Sequence, residues 1–143
     1  MPVCKNIARC GITVDKPIDF PRDGLHMSKR VLVVEDNALL GLDMAEQLTN
    51  AGLEVVGPAI SVAEALKLVV DKGCDVAVLD VNLGSETSEA VALELLARQT
   101  PFVTLSGYSS AQHPPGLRGA PALSKPARPE ELVAVVFKCL DGV

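Results

Sequence analysis

Four short apolar runs in the sequence each end in a polar residue that could take part in chemistry. Two runs end in acids, one in a hydroxyl and one in a lysine: Glu35 and Asp36 follow VLVV, Asp80 follows VAVL, Ser106 follows VTL and Lys125 follows ALS. Carboxylate oxygens are the ligands that Mg²⁺ prefers, while a lysine and a hydroxyl can donate to the oxygens of a phosphoryl group. Brought together, these residues describe an acceptor site for phosphoryl transfer.

Each of these residues also has an ordinary structural explanation. Asp36 and Asn37 precede a helical pattern, and an acid or an asparagine at such a position commonly caps a helix. Asp80 and Ser106 could be turn residues, and Lys125 could be a solvated charge. For the isolated Glu-Asp-Asn stretch the cap is the more frequent explanation, but suitable groups at the ends of four apolar runs favour a common site.

The apolar periodicity predicts the elements that would position these groups, because continuous short runs indicate strands and repeats of three to four residues indicate helices. The predicted strands are Val31–Val34, Leu53–Ala59, Asp75–Leu79, Pro101–Leu105 and Ala120–Leu123. The predicted helices are Ala38–Asn50 with Leu40, Met44 and Leu48 on one face, a second between the Ser61–Glu64 capping box and Gly73, a third over Ser88–Arg98, and a last one from Pro129. Pro114 and Pro115 leave room for about one helical turn before the fifth strand.

The strands are apolar throughout and alternate with helices, which predicts an α/β fold with a parallel, doubly wound sheet. In such sheets functional groups gather at the carboxyl ends of the strands, where the strand order reverses. Neighbouring strands lie about 4.8 Å apart. If the first and third strands are neighbours, Asp36 and Asp80 meet with Glu35 close by, and three crowded carboxylates require a cation to neutralise them.

The composition restricts the class of protein and its partners. The 143 residues suit one domain, and four cysteines at irregular spacings indicate reduced thiols rather than a zinc site or a disulfide framework. Of the net charge of -5, residues 1–26 contribute +1 and the remainder -6, which disfavours binding to nucleic acid. No apolar run reaches the roughly 18 residues of a membrane span, so we expect a soluble cytoplasmic protein.

Domain organisation is expected to be simple. Residues 1–26 contain three prolines and no sustained period, and we interpret them as a disordered N-terminal extension. The domain itself is expected to cover residues 27–143. Its last helix is predicted to end at Cys139 or Leu140, shortly before Val143, so no further domain is expected after it.

The ordered motifs VLVVEDN, VAVLDVNLG, VTLSG and LSKP resemble those of the receiver domain of two-component response regulators. The resemblance covers about residues 29–141, and it implies the flavodoxin-like form of the fold, a five-stranded parallel sheet in the order 2-1-3-4-5 with a shortened or irregular fourth helix. It also implies a signalling protein, not an enzyme, that promotes its own phosphorylation and dephosphorylation.

The resemblance assigns roles to the positions that match. Asp80 would be the phosphoacceptor, attacking a phosphohistidine on a sensor histidine kinase or a histidine phosphotransfer protein. Mg²⁺ would be held directly by Asp36 and Asp80, mainly through water by Glu35, and by the backbone carbonyl of Asn82.

Positions around the acceptor would handle the phosphoryl group or modulate its loss. Ser106 and Lys125 would bind phosphoryl oxygens, and the bond between Lys125 and Pro126 is expected in cis. Gly107 would leave the acyl phosphate accessible, while Asn82 and Tyr108 occupy positions that tune dephosphorylation in this family.

The sequence departs from the family pattern near the site. Leu83 and Gly84 stand where many receivers have Met-Pro, a change that loosens the turn without touching a ligand. Ala122 stands three residues before the lysine, where the family usually carries a Tyr or Phe that swings inward on activation. The usual aromatic switch therefore cannot operate at position 122. The interval between Ser106 and Lys125 is also short.

The stretch PFVTLSGY resembles the PFxFxTGY motif of a sub-family of stand-alone alphaproteobacterial receivers. Thr104 and Ser106 differ from that motif, which carries Phe and Thr at those positions. In the sub-family the tyrosine after the glycine is thought to matter for signalling, which directs attention to Tyr108. An ordinary loop aromatic is an equally good explanation for this tyrosine.

The expected function is that of a stand-alone receiver, monomeric or weakly dimeric. It would signal by contact with an unknown downstream protein or pass the phosphoryl group onward in a phosphorelay. A pseudo-receiver that only binds proteins remains the alternative. An enzyme of the haloacid-dehalogenase type would need a second Asp where Asn82 stands, and a flavodoxin-like cofactor site would place a phosphate against the repelling acids Glu35 and Asp36.

Overall fold

The computed structural model describes residues 28–107 and 112–141, which form one parallel sheet, a short hairpin and four α-helices. The parallel strands are β1 (Arg30–Val34), β2 (Glu54–Ala59), β3 (Val76–Asp80), β4 (Phe102–Ser106) and β5 (Ala122–Ser124). The helices are α1 (Ala38–Asn50), α2 (Val62–Asp71), α3 (Glu89–Ala97) and α4 (Pro129–Leu140). The predicted extension over residues 1–26 and the residue Tyr108 lie outside the described part of the chain.

The strands lie in the order β2-β1-β3-β4-β5, all parallel, which confirms the predicted flavodoxin-like sheet. The register pairs Val34 with Leu79, Asp80 with Leu105, and Ser106 with Ser124. The carboxyl ends of β1, β3, β4 and β5 are therefore aligned, and the residues that follow these strands project from one edge of the sheet.

Two apolar layers enclose the sheet. One lies under α2 and α3 and includes Leu32, Leu79 and Leu95. The other lies under α1 and α4 and includes Val33 and Val78 from the opposite side of the same strands. Each fully buried Val or Leu side chain contributes roughly 1.5–3 kcal/mol of transfer free energy, so the strands that carry the site are rigidly held.

The predicted span of α1 is confirmed, but its inward face is only partly right. Leu48 is buried and Met44 half-buried, whereas Leu40 is 48% exposed. Gly41 is buried in place of Leu40, and a Cβ at this glycine would lie 3.1 Å from Cβ of Pro58. The first turn of α1 thus approaches β2 through a glycine, which rotates Leu40 towards solvent.

Several local signals hold with small shifts. Ser61 accepts a hydrogen bond from the Glu64 backbone N–H at 3.2 Å, as the capping box predicts, but the Glu64 carboxylate accepts from the Ile60 N–H at 3.0 Å instead of from Ser61. The last strand begins at Ala122 and not at Ala120. Pro121 has no N–H to donate to the ladder, although its carbonyl accepts from the Thr104 N–H.

The described part of the segment between β4 and β5 includes a 3₁₀ turn, Pro115–Leu117, and contains no α-helix, as the prolines predict. Leu117 is fully buried in the layer under α3, and the Gly116 N–H donates to the Glu89 carboxylate at 2.8 Å. A hairpin of two-residue strands, Asn82–Leu83 and Glu86–Thr87, was not predicted. Among the described helices, none is both long and apolar enough to cross a membrane.

Candidate functional site

Three acids meet where the strand order reverses, between the ends of β1 and β3. Glu35, Asp36 and Asp80 each offer a carboxylate oxygen within 4.8 Å of the others. Glu35 and Asp80 are buried, and Asp36 is exposed. The topology therefore brings together acids that lie about 45 residues apart in sequence. This was predicted from the rule that functional groups gather at the carboxyl ends of the strands in a parallel sheet.

Lys125 follows the edge strand β5, and its side chain reaches the same acids across the end of β4. Its Nζ lies 2.9 Å from Oδ2 of Asp80 and 3.3 Å from Oε1 of Glu35. Because β4 separates β5 from β3, the lysine spans about 10 Å, which its long side chain can do. The Lys125 backbone N–H donates to the Ser106 carbonyl at 2.8 Å, which fixes the start of the lysine beside the end of β4.

Burial and neighbouring charges set the ionisation of the site. Burial is the largest cause that raises the pKa of Glu35, which reaches about 7, and the adjacent Asp80 raises it further against the opposing effects of the Asn37 N–H and Lys125. Burial alone disfavours the Lys125 ammonium, but its contacts with Asp80 and Glu35 give a net rise in its pKa. Lys125 is therefore charged at neutral pH, and Glu35 holds a proton over part of the physiological range.

The acids outnumber the single ammonium, so the ionised site carries excess negative charge in a partly buried setting. A divalent cation would neutralise that excess, and a set of hard carboxylate oxygens suits Mg²⁺ or Ca²⁺ rather than a softer metal. The pKa of Glu35 is raised mainly by burial, and the charge of the adjacent Asp80 adds to the rise. The residues present thus fit the ion implied by the sequence, while the proposed ligand role of the Asn82 carbonyl stays a prediction.

The start of α1 shows which residue of the Glu-Asp-Asn stretch caps the helix. The Asn37 side chain accepts from the Leu40 N–H at 3.1 Å, and the Glu35 carboxylate accepts from the Asn37 N–H at 3.1 Å. Asn37 therefore caps the helix, and the carboxylate of Asp36 lies with the other acids. The cap interpretation is confirmed for Asn37, and the role of Asp36 as a cation ligand stays a prediction.

Ser106 is buried at the end of β4, and its Oγ lies 2.8 Å from Nε2 of His113. His113 is 1% exposed. This histidine was not predicted to be a site residue, because a lone histidine before two prolines has the composition of a surface loop.

The departures from the family pattern have visible consequences. Gly84 turns the hairpin with φ of +69°, and a Cβ there would lie 4.0 Å from Oδ2 of Asp36. Ala122 is exposed, so its side chain does not fill the interior. A Cβ at Gly107 would meet nothing within 4 Å, and the bond between Lys125 and Pro126 is cis, as predicted.

No family model matches the chain. The chain is 31% identical over 120 residues to the transcriptional regulatory protein PdtaR of Mycobacterium tuberculosis, in a match that covers 83% of this chain and 55% of that protein. The chain therefore spans about half the length of this curated relative.

Solved structures share the fold. A CheY-like response regulator receiver domain protein from Methanospirillum hungatei matches 80% of this chain and 95% of its own, with a TM-score of 0.69 and 22% identity. A response regulator from Burkholderia pseudomallei, solved with a phosphorylated aspartic acid, a calcium ion and citrate, matches 76% of this chain and 66% of its own, with a TM-score of 0.68 and 27% identity.

Proposed function

We propose that this chain, which belongs to the receiver-domain family of response regulators, accepts a phosphoryl group on Asp80 in a Mg²⁺-dependent reaction. One observation carries the proposal: Asp80 is buried within 4.8 Å of Glu35 and Asp36 and lies 2.9 Å from Lys125. A nucleophile, two further acids for a cation and a fixed ammonium are the groups that transfer to a carboxylate requires.

In the proposed reaction a carboxylate oxygen of Asp80 attacks the phosphorus of a phosphohistidine. The new P–O bond forms as the P–N bond breaks, and the imidazole of the donor leaves with the electron pair and takes up a proton. Lys125 holds the Asp80 carboxylate before transfer and binds a phosphoryl oxygen afterwards. Ser106, at the end of the neighbouring strand, donates its hydroxyl proton to another phosphoryl oxygen.

Asp36, Asp80 and the Asn82 carbonyl would hold the cation directly, and Glu35 would hold it mainly through water. A bound Mg²⁺ supplies neutralisation of the charge that develops on the phosphoryl oxygens. Glu35 has to give up its proton to take part, and its burial beside Asp80 makes that proton exchangeable near neutral pH. The solved B. pseudomallei regulator, with its phosphorylated aspartic acid and calcium ion, supports both the acceptor and the cation.

The donor is proposed to be a protein, a sensor histidine kinase or a histidine phosphotransfer protein. On α1, beside the site, Leu39 is 79% and Leu42 is 59% exposed. A groove of about 370 Å³ lies next to them, lined by residues that include Leu40 and Lys125. Exposed apolar side chains at the mouth of a charged site suit a protein partner better than a free small phosphate.

The output is proposed to be contact with a downstream protein or onward transfer of the phosphoryl group. Both routes begin with the same modification, so the modification is the first property to test. A pseudo-receiver, which would bind proteins without being phosphorylated, is the alternative.

Intact-mass measurement after incubation with acetyl phosphate tests the proposal. We expect one added phosphoryl group with Mg²⁺ and none with EDTA. Asp80→Asn should abolish the addition, while the matched change Asp43→Asn, in the same groove but outside the acidic cluster, should preserve it. Labelling that survives in Asp80→Asn would refute the acceptor, and a complete lack of labelling would favour the pseudo-receiver.

A further inference from the structure

The Ser106 hydroxyl is held by an imidazole that belongs to another segment of the chain. Its Oγ lies 2.8 Å from Nε2 of His113, and both side chains are buried. A buried hydrogen bond of this length is well formed and is shielded from competition by water. The contact therefore defines where the hydroxyl points while Asp80 carries no phosphoryl group.

The hydroxyl and the acceptor leave their strands on opposite faces of the sheet. Ser106 follows Phe102 by four residues, and Phe102 packs in the layer under α2 and α3. Asp80 follows Val78 by two residues, and Val78 packs in the layer under α1 and α4. Because side chains alternate along a strand, the Ser106 side chain leaves its strand on the side of His113 and Leu117, and the Asp80 side chain leaves on the other side.

The backbone of Ser106 is fixed, so the side chain has to make the movement. Ser106 is paired with Ser124 in the sheet, and its carbonyl accepts from the Lys125 N–H at 2.8 Å. A serine side chain changes direction by stepping between staggered rotamers. Its hydroxyl has one proton to donate, and a charged phosphoryl oxygen is a strong acceptor for that proton.

We propose that His113 is the positioning residue that binds the Ser106 hydroxyl when Asp80 is unphosphorylated and releases it when the hydroxyl turns to the phosphoryl group. The inference rests on the proposed function, because it describes regulation of the same site. It gives the chain a buried partner for Ser106 although position 122 holds an exposed alanine.

Release of the His113 imidazole would change the contacts that hold the segment over residues 112–119. The His113 carbonyl accepts from Nε of Arg118 at 2.8 Å, and the Gly116 N–H donates to Glu89 at 2.8 Å. Leu117 anchors the same segment in the interior. A change at Ser106 thereby reaches the surface between α3 and β5, where a partner could read it.

Histidine-selective ¹⁵N NMR of the full chain tests the inference directly. The sequence has two histidines, so His26→Gln leaves His113 as the single labelled imidazole. Beryllofluoride with Mg²⁺ serves as the probe, because it mimics the phosphoryl group of an acyl phosphate. We expect the Nε2 resonance of His113 to move when the probe binds, and not to move in a Ser106→Ala background.

An affinity cycle measures the competition. His113→Phe keeps a ring of similar size but removes the hydrogen bond, so it should tighten beryllofluoride binding by about two- to tenfold, the range expected from the loss of one hydrogen bond that opposes binding. In Ser106→Ala the same change should have no effect. Gln112→Ala changes an exposed side chain next to His113 and leaves the imidazole in place, so it is the control and should leave the affinity unchanged.

The outcomes separate this inference from the proposed function. Binding of the probe with an unmoved His113 resonance, or weaker binding in His113→Phe, overturns the role of His113 and leaves the phosphoacceptor intact. Failure of the probe to bind and of acetyl phosphate to label Asp80 overturns both. If His113→Phe does not fold, the NMR measurement on His26→Gln still decides.

Discussion

The Lys125 ammonium lies 2.9 Å from Oδ2 of Asp80 although the strands that carry these residues are not neighbours. The lysine crosses the end of β4 to reach the acid. It offsets part of the negative charge of the acidic cluster before any cation binds, and it occupies space that a phosphoryl oxygen would approach. The site therefore contains both a positive charge that can bind a phosphoryl oxygen and carboxylates that can bind a divalent cation.

Replacing Lys125 by methionine should tighten Mg²⁺ binding while slowing phosphorylation. Removal of the ammonium deletes a positive charge that competes with the cation for Asp80. Two unit charges 4 Å apart interact with about 1 kcal/mol in water and about 4 kcal/mol near a protein surface. We therefore expect Lys125→Met to bind Mg²⁺ roughly tenfold more tightly than the parent. Isothermal titration calorimetry checks this value. Lys138→Met, at an exposed position in α4, is the control and should bind Mg²⁺ as the parent does. Weaker binding in Lys125→Met would contradict the proposed charge balance.

The stability of the metal-free protein should fall as the pH rises from about 4.5 to about 7. Burial, with the added effect of Asp80, raises the pKa of Glu35 from 4.5 to about 7. The folded state therefore binds more protons than the unfolded state in this window, so the stabilisation is complete below pH 4.5 and is lost as the pH passes 7. At 1.36 kcal/mol for each unit, the loss is at most about 3 kcal/mol.

Urea unfolding in EDTA at several pH values measures this dependence. Glu35→Gln should remove the fall, because it lacks the titrating group. Saturating Mg²⁺ should also offset it at about pH 8, since the cation binds the ionised carboxylate. A parent protein whose unfolding free energy rises between about pH 5 and pH 7 would contradict the assignment to Glu35.

Gly84→Ala should destabilise the protein by about 1 kcal/mol and weaken Mg²⁺ binding. Gly84 has φ of +69°, which costs a residue with a side chain roughly 1–2 kcal/mol, and the new methyl group would face Asp36. Thermal unfolding with and without Mg²⁺ reports both effects. Gly119→Ala is the matched control, since its Cβ would meet nothing within 4 Å and its φ is not positive.

Leu117→Ala should cost about 2–5 kcal/mol of unfolding free energy, as expected for a fully buried leucine. The same change at Leu93, which is 53% exposed on α3, should stay within about 0.5 kcal/mol. Chemical unfolding of both variants makes the comparison. Equal effects would mean that the segment before β5 is not anchored through Leu117.

Much of the fold was predictable because its three central strands, β1, β3 and β4, are buried on both faces. Runs such as Val31–Val34 and Val76–Leu79 need a sheet covered on two sides, and the alternation with helices leaves a parallel arrangement. The strand-end rule then placed Glu35, Asp36 and Asp80 together without knowledge of any contact.

The features that escaped prediction depend on tertiary contacts. Leu40 has the spacing of an inward residue, but the close approach at Gly41 turns it outward. His113 became a buried partner of Ser106 because Leu117 and the Glu89 carboxylate fix the segment that carries it. Local periodicity and composition predict neither the exposure of Leu40 nor the contact between His113 and Ser106.

Borohydride reduction of the protein after treatment with acetyl phosphate and Mg²⁺ tests the central claim most directly. An acyl phosphate on an aspartate is reduced to homoserine, which peptide mass spectrometry locates in the sequence. We predict homoserine at position 80, dependent on both the phosphoryl donor and Mg²⁺. Homoserine at Asp36 or another acid, or none anywhere in a protein shown to be folded, would contradict the assignment of Asp80 as the phosphoacceptor.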